Sequence, residues 1–254
     1  MPLGLGSTLI KGGLAIPGIV TDNLVLKHKY DAGGVVPVSD GAAFLNNTGS
    51  GGTNRIETSL AGNTAFGGDF TISAWIYRTV EAQYHTIVGC LDNAGDEVRL
   101  YIQSSAYGSD LILAMGPDAG DGAAKYTNAV TPWTGNYDSK WTHVAATYED
   151  GAQKIYINGV DDTDTGTSNT NTHTINLTDT VTIGSNKSTS SHDFLGYICN
   201  VGIWSDVLTQ AQIKSIMWKN YANLISSETT NLVSWWNLSA DANDSHGSNN
   251  GTLA

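Results

Sequence analysis

Short β-prone runs recur along the whole chain, and this pattern constrains the fold more strongly than any other feature of the sequence. Ten runs of five to eleven residues are separated by Gly, Asn, Asp and Ser. They are NLVLKHKY (23–30), FTISAWIY (70–77), YHTIVGCL (84–91), EVRLYIQ (97–103), DLILAM (110–115), WTHVAATY (141–148), AQKIYI (152–157), TVTIG (180–184), FLGYICNVGIW (194–204) and NLVSWW (231–236). Short strands with turns between them predict an all-β protein built as an antiparallel two-sheet sandwich.

The composition agrees with this fold class. Only 14% of the residues are charged, whereas glycine occurs 29 times, which is typical of strands and tight turns. A chain of 254 residues that is 40% hydrophobic can bury a sizeable core without disulfides. Cys90 and Cys199 lie in apolar strand-like runs, so we expect both to be buried free thiols.

One segment has helical rather than strand character. In LTQAQIKSIMWKN, Thr209 is placed to cap a helix and Gln212 to complete a capping box. Ile213, Ile216 and Met217 form a short apolar stripe. The pattern predicts one short surface helix over about 208–219. The polar segments 104–109, 116–140, 158–179 and 185–193 are predicted to be loops.

The amino-terminal segment differs from the rest of the chain. Residues 1–20 alternate glycine with apolar residues and contain a single charge, Lys11, so they would expose much apolar surface if nothing covered them. We predict an extended apolar arm over 1–20 and a sandwich over 21–254. The arm has no basic leader pattern and no run long enough for a membrane helix, so we expect neither an export signal nor membrane insertion. We expect the arm to dock onto a neighbouring subunit through its apolar side chains, which are Leu3, Leu5, Leu9, Ile10, Leu14 and Ile16.

The net charge limits the partners. With 12 basic and 24 acidic residues, the chain carries a formal charge of −12. Because nucleic-acid affinity comes largely from Lys and Arg that neutralise phosphates, we expect no nucleic-acid partner.

Several motifs together resemble a known family. FTISAWIY, WTHVAATYEDGAQKIYINGV, TIGSN, FLGYICNVGIWSDVLTQAQI and LVSWWNLSADANDSHGSNNGTLA follow one another in the order found in laminin-G-like jelly rolls of the concanavalin A-like lectin and glucanase superfamily. The resemblance covers about residues 65–252 and implies a jelly-roll sandwich of roughly a dozen strands. The last motif is similar to the stretch that usually opens such a domain, so a permuted strand order is an open alternative.

A second resemblance concerns the amino terminus. The phrase GLGSTLIKGG…VTDNLVLKHKYDAGG is similar to the starts of short structural proteins of tailed bacteriophages. Together the two resemblances imply a virion structural or attachment protein, as a capsid decoration or a tail or fibre component. Its location would be the particle surface, and its partners would be other virion proteins, copies of itself or host-surface glycans.

The sequence argues against hydrolysis. Glycosidases of this superfamily carry paired carboxylates on one strand, spaced as in E-x-D-x-x-E, because the acid and the nucleophile lie about 5 Å apart across the sugar bond. No such spacing occurs here. His143 matches a common family position and is most simply a packed, hydrogen-bonded residue. We therefore expect no enzymatic activity; the alternative function is a free lectin-like carbohydrate-binding module, and a hydrolase is the third class.

Sugar binding requires exposed aromatic rings on which a sugar can stack. The residues predicted to be exposed in loops are Trp133, Tyr137, Tyr107 and Tyr126. The alternative for these rings is that they fold back onto the sandwich or into a subunit contact. Trp75, Trp141 and Trp204 match core positions of the family, and Trp235 and Trp236 point to opposite faces of one strand, so at least one of that pair should be in the core.

Calcium is the candidate cofactor, because jelly-roll loops often present the oxygen ligands that Ca²⁺ prefers. The leading ligands are Asp241 and Asp244 in SADANDSHG. Other candidates are Asp92 with Asp96, and Asp161, Asp162 and Asp164. The alternative is that these residues form ordinary turns, where Asp and Asn are common for backbone reasons.

Overall fold

The computed structural model describes eight stretches of the chain: 37–46, 54–79, 83–92, 96–117, 125–149, 152–166, 177–186 and 192–254. All of them belong to one unit, Gly34–Ala254. The predicted arm over 1–20 and the predicted strand at 23–30 lie outside the described residues. Within the described part of the chain, no helix is both long and apolar enough to cross a membrane.

Fourteen strands are present in the described residues, and every paired strand runs antiparallel to its neighbours. They are β1 (Ala43–Asn46), β2 (Ile56–Ala61), β3 (Phe70–Arg78), β4 (His85–Leu91), β5 (Asp96–Ile102), β6 (Leu111–Pro117), β7 (Lys125–Asn128), β8 (Thr142–Glu149), β9 (Ala152–Ile157), β10 (Val160–Asp161), β11 (Thr180–Ile183), β12 (Leu195–Trp204), β13 (Leu232–Trp236) and β14 (Gly251–Leu253).

The strands form two sheets of seven, counted over the same residues. Sheet A has the order β1-β12-β3-β8-β9-β10, and β13 also pairs with β12. Sheet B has the order β14-β2-β11-β4-β5-β6-β7. The predicted all-β, two-sheet antiparallel sandwich is therefore confirmed.

Nine of the ten predicted strand runs coincide with strands, and the tenth lies outside the described residues. Two predicted loops were wrong in part. The segment 116–140 contains β7, and 158–179 contains β10. These strands are short, polar and at sheet edges, where pairing with β6 and β9 decides their conformation rather than hydrophobic pattern.

The main core lies between the sheets. On β3, Phe70, Ile72, Ala74 and Ile76 face this core. The other side of β3 is also buried, as the apolar character of both faces predicted. There Trp75 donates its indole N–H to the carbonyl of Met217 at 2.8 Å.

A second core cluster lies on the outer side of sheet A beneath the predicted helix. Helix α2 (Gln210–Ile216) follows α1 (Gly62–Phe66) and precedes α3 (Ser226–Thr229). The Thr209–Gln212 capping box is present, and Ile213 and Ile216 pack with Trp204 and Trp235. The helix prediction is confirmed over a shorter range, whereas α1 and α3 were not predicted.

The carboxyl-terminal segment contributes a strand to each sheet. β13 pairs with β12 in sheet A, and β14 pairs with β2 in sheet B. β1 and β13 lie end to end along β12, opposite 195–198 and 201–204 respectively. Trp235 and Trp236 are 1% and 0% exposed, on opposite faces of β13, so both belong to the core.

Candidate functional site

The structure corrects the leading candidate for sugar contact. Trp133 is 0% exposed and belongs to the main core, so its predicted exposure was wrong. Its backbone N–H donates to the carbonyl of Ser109 at 2.7 Å, and Asp138 of the same loop forms an ion pair with the buried Arg78. These contacts fold the loop onto the sandwich. Tyr137, half-buried, packs on Trp133 with ring centroids 5.1 Å apart.

The other two predicted aromatics lie at the outer side of sheet B. Tyr107 is 66% exposed and ends a single 3-10 turn between β5 and β6. Tyr126 lies on β7 and is half-buried. Tyr84, which the sequence analysis did not single out, precedes β4 and stacks near Tyr107, with centroids 6.0 Å apart and an interplanar angle of 29°.

Tyr84 and Tyr126 line a depression that we call the groove. Its volume is about 530 Å³, which is within the usual range of about 300–1,000 Å³ for small-ligand sites. The lining residues are Tyr84, Arg99, Tyr101, Gln103, Ile112, Tyr126, Asn128 and His192.

Strand alternation explains how β5 supplies the floor of the groove. Val98, Leu100 and Ile102 face the main core. Successive side chains point to opposite faces of a strand, so Arg99 and Tyr101 face outward. Tyr101 packs with Ile112 of the neighbouring β6, and both are buried although they are on the outer face. The floor is therefore apolar and aromatic.

His192 and Tyr84 form one side of the groove. The carbonyl of His192 accepts the backbone N–H of Thr86 at 3.2 Å, which fixes this residue beside β4. The imidazole lies edge-on to the Tyr84 ring, with centroids 5.0 Å apart. Burial, with a smaller contribution from nearby Arg99, lowers the pKa of His192 to about 4. The imidazole is therefore neutral at pH 7.

The tyrosines of the groove are neutral as well. Burial raises the pKa of Tyr84, with a further contribution from Tyr107. Burial also raises the pKa of Tyr101. Their hydroxyls can therefore donate and accept hydrogen bonds across the neutral pH range.

Arg99 supplies positive charge to the groove. Its guanidinium carbon lies 4.1 Å from the centroid of the Tyr101 ring. Its Nε is 3.3 Å from Oε2 of Glu97. Glu97 lies two residues before Arg99, on the side away from Tyr101 and Gln103, and it is not among the lining residues.

A second group of aromatic rings, the sheet A row, lies on the opposite side of the sandwich. It consists of Phe44, Tyr197, Tyr77 and Trp141. Phe44 pairs in register with Tyr197, and Tyr197 with Tyr77. Trp141 is partly buried, and neighbouring rings are tilted by 32° to 81°. Phe44 and Tyr197 of this row are partly exposed, so the row is the comparison surface for the groove.

The predicted calcium ligands do not converge on a site. Asp241 accepts the backbone N–H of Asn243 at 3.1 Å. Asp244 is 8% exposed and accepts backbone N–H groups of Trp235, His246 and Asn249. Among the described residues, no group of three or more His, Cys, Asp or Glu side chains could hold a metal ion. The carboxylates of Asp241 and Asp244 fit the alternative of turn residues, because N–H donors face the oxygens that a cation would need.

The remaining calcium candidates have similar surroundings. Asp92 accepts the backbone N–H of Asp96 at 3.0 Å. Asp161 accepts from Thr163, and Asp162 from Thr131. Asp164 accepts the backbone N–H of Gly166 at 2.8 Å. The bonds at Asp161 and Asp164 are the local bonds of Asx turns, whereas the bond at Asp162 joins two loops.

His143 is packed inside sheet A. It is 1% exposed, its Nε2 lies 2.9 Å from the hydroxyl of Ser73, and burial lowers its pKa to about 3. Trp75 packs edge-on against its ring. Cys90 and Cys199 are buried thiols, as expected.

Comparison with known proteins identifies the fold family. A family model, Laminin_G_3, of the concanavalin A-like lectin/glucanases superfamily, matches residues 50–214. No curated protein matches the sequence.

Several solved structures share the fold at low sequence identity. A candidate carbohydrate binding protein from Bacteroides ovatus ATCC 8483 has a TM-score of 0.58 and 22% identity, over 83% of this chain and 58% of that one. Domain 4 of AbnA, a GH43 extracellular arabinanase from Geobacillus stearothermophilus, was solved in complex with arabinotriose. It has a TM-score of 0.52 and 21% identity, over 73% of this chain and 82% of that one. The enzymatically active domain of bacteriophage CBA120 tailspike protein 2 has a TM-score of 0.52 and 16% identity, over 78% of this chain and 29% of that one.

The chain thus spans 58% of the length of the first of these proteins, and the likenesses show a shared fold. The match to the family model covers more than half of the chain, including the strands that form the groove. The protein belongs to the Laminin_G_3 family of the concanavalin A-like lectin/glucanases superfamily.

Proposed function

We propose that this protein binds glycans without catalysis, through the groove on the outer side of sheet B. The observation that carries the proposal is the set of tyrosine rings around a depression of about 530 Å³. Tyr84 and Tyr126 line the groove, Tyr101 forms part of its floor, and Tyr107 packs against Tyr84. Aromatic faces stack on the apolar faces of sugar rings, while neighbouring polar groups bind the hydroxyls.

The polar lining suits sugar hydroxyls. Gln103 and Asn128 each offer an amide that can both donate and accept hydrogen bonds. His192 is neutral at pH 7 because its pKa is lowered to about 4. Two proteins that share the fold are described with carbohydrate, one as a candidate carbohydrate binding protein and one in complex with arabinotriose. These two neighbours support the proposal that the ligand is a sugar.

Binding is favoured over hydrolysis by the side chains of the groove. The superfamily contains both lectins and glucanases, so membership alone does not decide between them. Among the described residues that line the groove, none is Asp or Glu. Glycosidases require a pair of carboxylates on either side of the scissile bond. Release of reducing sugar from a polysaccharide panel by the wild-type protein would contradict the non-enzymatic part of the proposal.

The binding proposal is tested by calorimetric titration of glycans selected on an array. Tyr84→Ala removes a ring that contacts Tyr107, Tyr101 and His192, so we expect affinity to fall about tenfold or more. Tyr197→Ala is the matched control, because it removes a partly exposed ring from the sheet A row. Equal losses for the two variants, or a loss for Tyr197→Ala alone, would place the binding site elsewhere.

The wider role that we propose is that of a virion structural or attachment protein, present on the particle surface. The support is the resemblance of the amino-terminal phrase to tailed-bacteriophage structural proteins. In this role residues 1–20 dock onto another virion protein or a second copy of the chain, and the sandwich presents the groove to host-surface glycans. Apolar side chains of the arm would contribute about 25 cal/mol for each Å² that they bury.

Density-gradient sedimentation of the native protein from its source culture tests the wider role. We expect it to band with intact particles, and a protein lacking residues 1–20 to fold normally but fail to join them. A protein found in the soluble fraction would support the competing function, a free lectin-like module. Assembly of the shortened protein into particles would contradict docking through the arm.

A further inference from the structure

We propose that the groove is selective for acidic glycans, and that Arg99 receives the carboxylate or sulfate group of the sugar. This inference rests on the proposed function, because it names the class of ligand for the same groove. The chain as a whole carries a net charge of −12, so a preference for anions does not follow from its overall charge. It follows from the environment of one buried guanidinium.

Arg99 is buried without a full set of hydrogen bonds. Its side chain lines the groove, yet the residue is 8% exposed. Among the described residues, neither Nε nor Nη1 has a hydrogen-bond partner, and both atoms are fully buried. Buried polar groups are nearly always hydrogen-bonded, so an unsatisfied guanidinium requires an explanation. A ligand that supplies oxygen acceptors is such an explanation.

The carboxylate of Glu97 balances only part of the positive charge of Arg99. Its Oε2 lies 3.3 Å from Nε of Arg99, as an ion pair without a hydrogen bond to that nitrogen. A guanidinium presents donors in a planar fork, which can serve acceptors on more than one edge. Arg99 lines the groove and Glu97 does not, so the guanidinium is the charged group that a ligand in the groove would meet.

The remaining lining side chains do not oppose an anion. Tyr84 and Tyr101 are neutral because burial raises their pKa values, and His192 is neutral because burial lowers its pKa to about 4. In the described residues, Arg99 is thus the one lining side chain that is charged at pH 7. The guanidinium of Arg99 also makes a cation–π contact with Tyr101, with its carbon 4.1 Å from the ring centroid, and this contact orients the Arg99 side chain.

The β7 side of the groove has a different character. There the amide of Asn128 donates to Oδ2 of Asp110 at 3.5 Å. Burial raises the pKa of Asp110, although the bond from Asn128 favours its ionised form. An acidic sugar is therefore expected to place its anionic group at Arg99 and its neutral hydroxyls toward Asn128.

Calorimetric titration of the full chain with matched pairs of glycans tests this inference. The pairs are trigalacturonate with its carboxyl-reduced form, and a sulfated heparin tetrasaccharide with its desulfated form. We expect the acidic member of at least one pair to bind at least about tenfold more tightly, a difference of about 1.4 kcal/mol. The pair that shows this difference identifies the anion as carboxylate or sulfate. In 0.5 M salt the preference should shrink, because screening weakens the ionic contact.

Variants separate the inference from the function on which it rests. Arg99→Gln should lower the ratio of acidic to neutral affinity to about one, and Arg99→Lys should retain part of the preference. A circular dichroism spectrum and a urea unfolding midpoint like those of the wild type show that the variant is folded. Equal affinity of the wild type for acidic and neutral members, with loss of both in Tyr84→Ala, would overturn the inference and leave the glycan-binding function intact. Binding of no glycan on the array by the wild type would overturn both.

Discussion

At the scale of single residues, exposure separates binding side chains from structural ones. Trp133 and Tyr107 were both predicted as glycan contacts from loops rich in Gly, Ser and Thr. Trp133 is 0% exposed, whereas Tyr107 is 66% exposed. Both lie in the same kind of loop sequence, so composition could not distinguish them. The difference arises from long-range contacts of the Trp133 loop, including the Arg78–Asp138 ion pair.

We therefore predict opposite consequences for the two residues. Trp133→Ala should lower the free energy of unfolding by about 3–5 kcal/mol, because it leaves a large cavity in the core. Tyr107→Ala, the matched control, should change it by less than about 0.5 kcal/mol, because the side chain is mostly exposed. Urea unfolding followed by circular dichroism measures both. A Trp133→Ala protein as stable as the wild type would contradict the buried placement of this ring.

Arg99 was not identified from the sequence, although a signal was present. In EVRLYIQ, Glu97, Arg99, Tyr101 and Gln103 alternate with residues of the main core. Such alternation predicts an outward face with a charged pair and an aromatic ring. What the sequence could not provide was the approach of Tyr84 and His192 from another part of the chain, which turns this face into a groove.

At the scale of elements, strands with strong apolar patterns were predictable, and short edge strands were not. β3, β8 and β12 have long apolar runs and lie side by side in sheet A. β7 and β10 have little apolar pattern, and their conformation depends on a neighbouring strand. Helix α2 was predictable because its capping box is a local feature. Local signals were thus readable, whereas pairing partners required the structure.

The connection between β13 and β14 crosses from sheet A to sheet B, and Asp244 stabilises it. Asp244 accepts backbone N–H groups from Trp235 in β13 and from His246 and Asn249 in the connection. Burial alone would raise the pKa of this carboxyl, but the backbone donors outweigh burial and lower it. The carboxylate therefore holds the crossing segment most strongly when it is ionised.

A prediction of pH dependence follows from the direction of this shift. Because the folded pKa is below the unfolded value of about 3.9, Asp244 contributes its full stability above pH 4 and loses it as pH falls through the folded pKa. Asp244→Asn should be less stable than the wild type by about 1.5–3 kcal/mol at pH 7. The gap should narrow at pH 3 and below.

Urea unfolding of both proteins at pH 7, 5, 3 and 2 measures this gap. Asp241→Asn is the control, because Asp241 is exposed and its bonds to Asn243 are local. A gap that stays constant from pH 7 to pH 2 would show that the charge of Asp244 is not what holds the crossing segment.

At the scale of the whole molecule, the two outer faces of the sandwich have different uses. α2 covers part of the outer side of sheet A, where it packs on Trp204 and Trp235. The corresponding face of sheet B carries the groove, with neutral tyrosines around a buried arginine. The motifs that carried the family resemblance lie mainly in strands that do not form the groove. The residues of the groove are distributed over β5, β6, β7 and the segments beside β4.

The central claim is that glycans bind at the groove, and chemical-shift mapping of the ¹⁵N-labelled protein during glycan titration tests it most directly. We predict that the largest shifts occur at Tyr84, at 99–103 and at Ile112, Tyr126 and His192. Shifts concentrated instead around Phe44, Tyr77, Trp141 and Tyr197 would contradict the claim, because they would place the ligand on the opposite side of the sandwich.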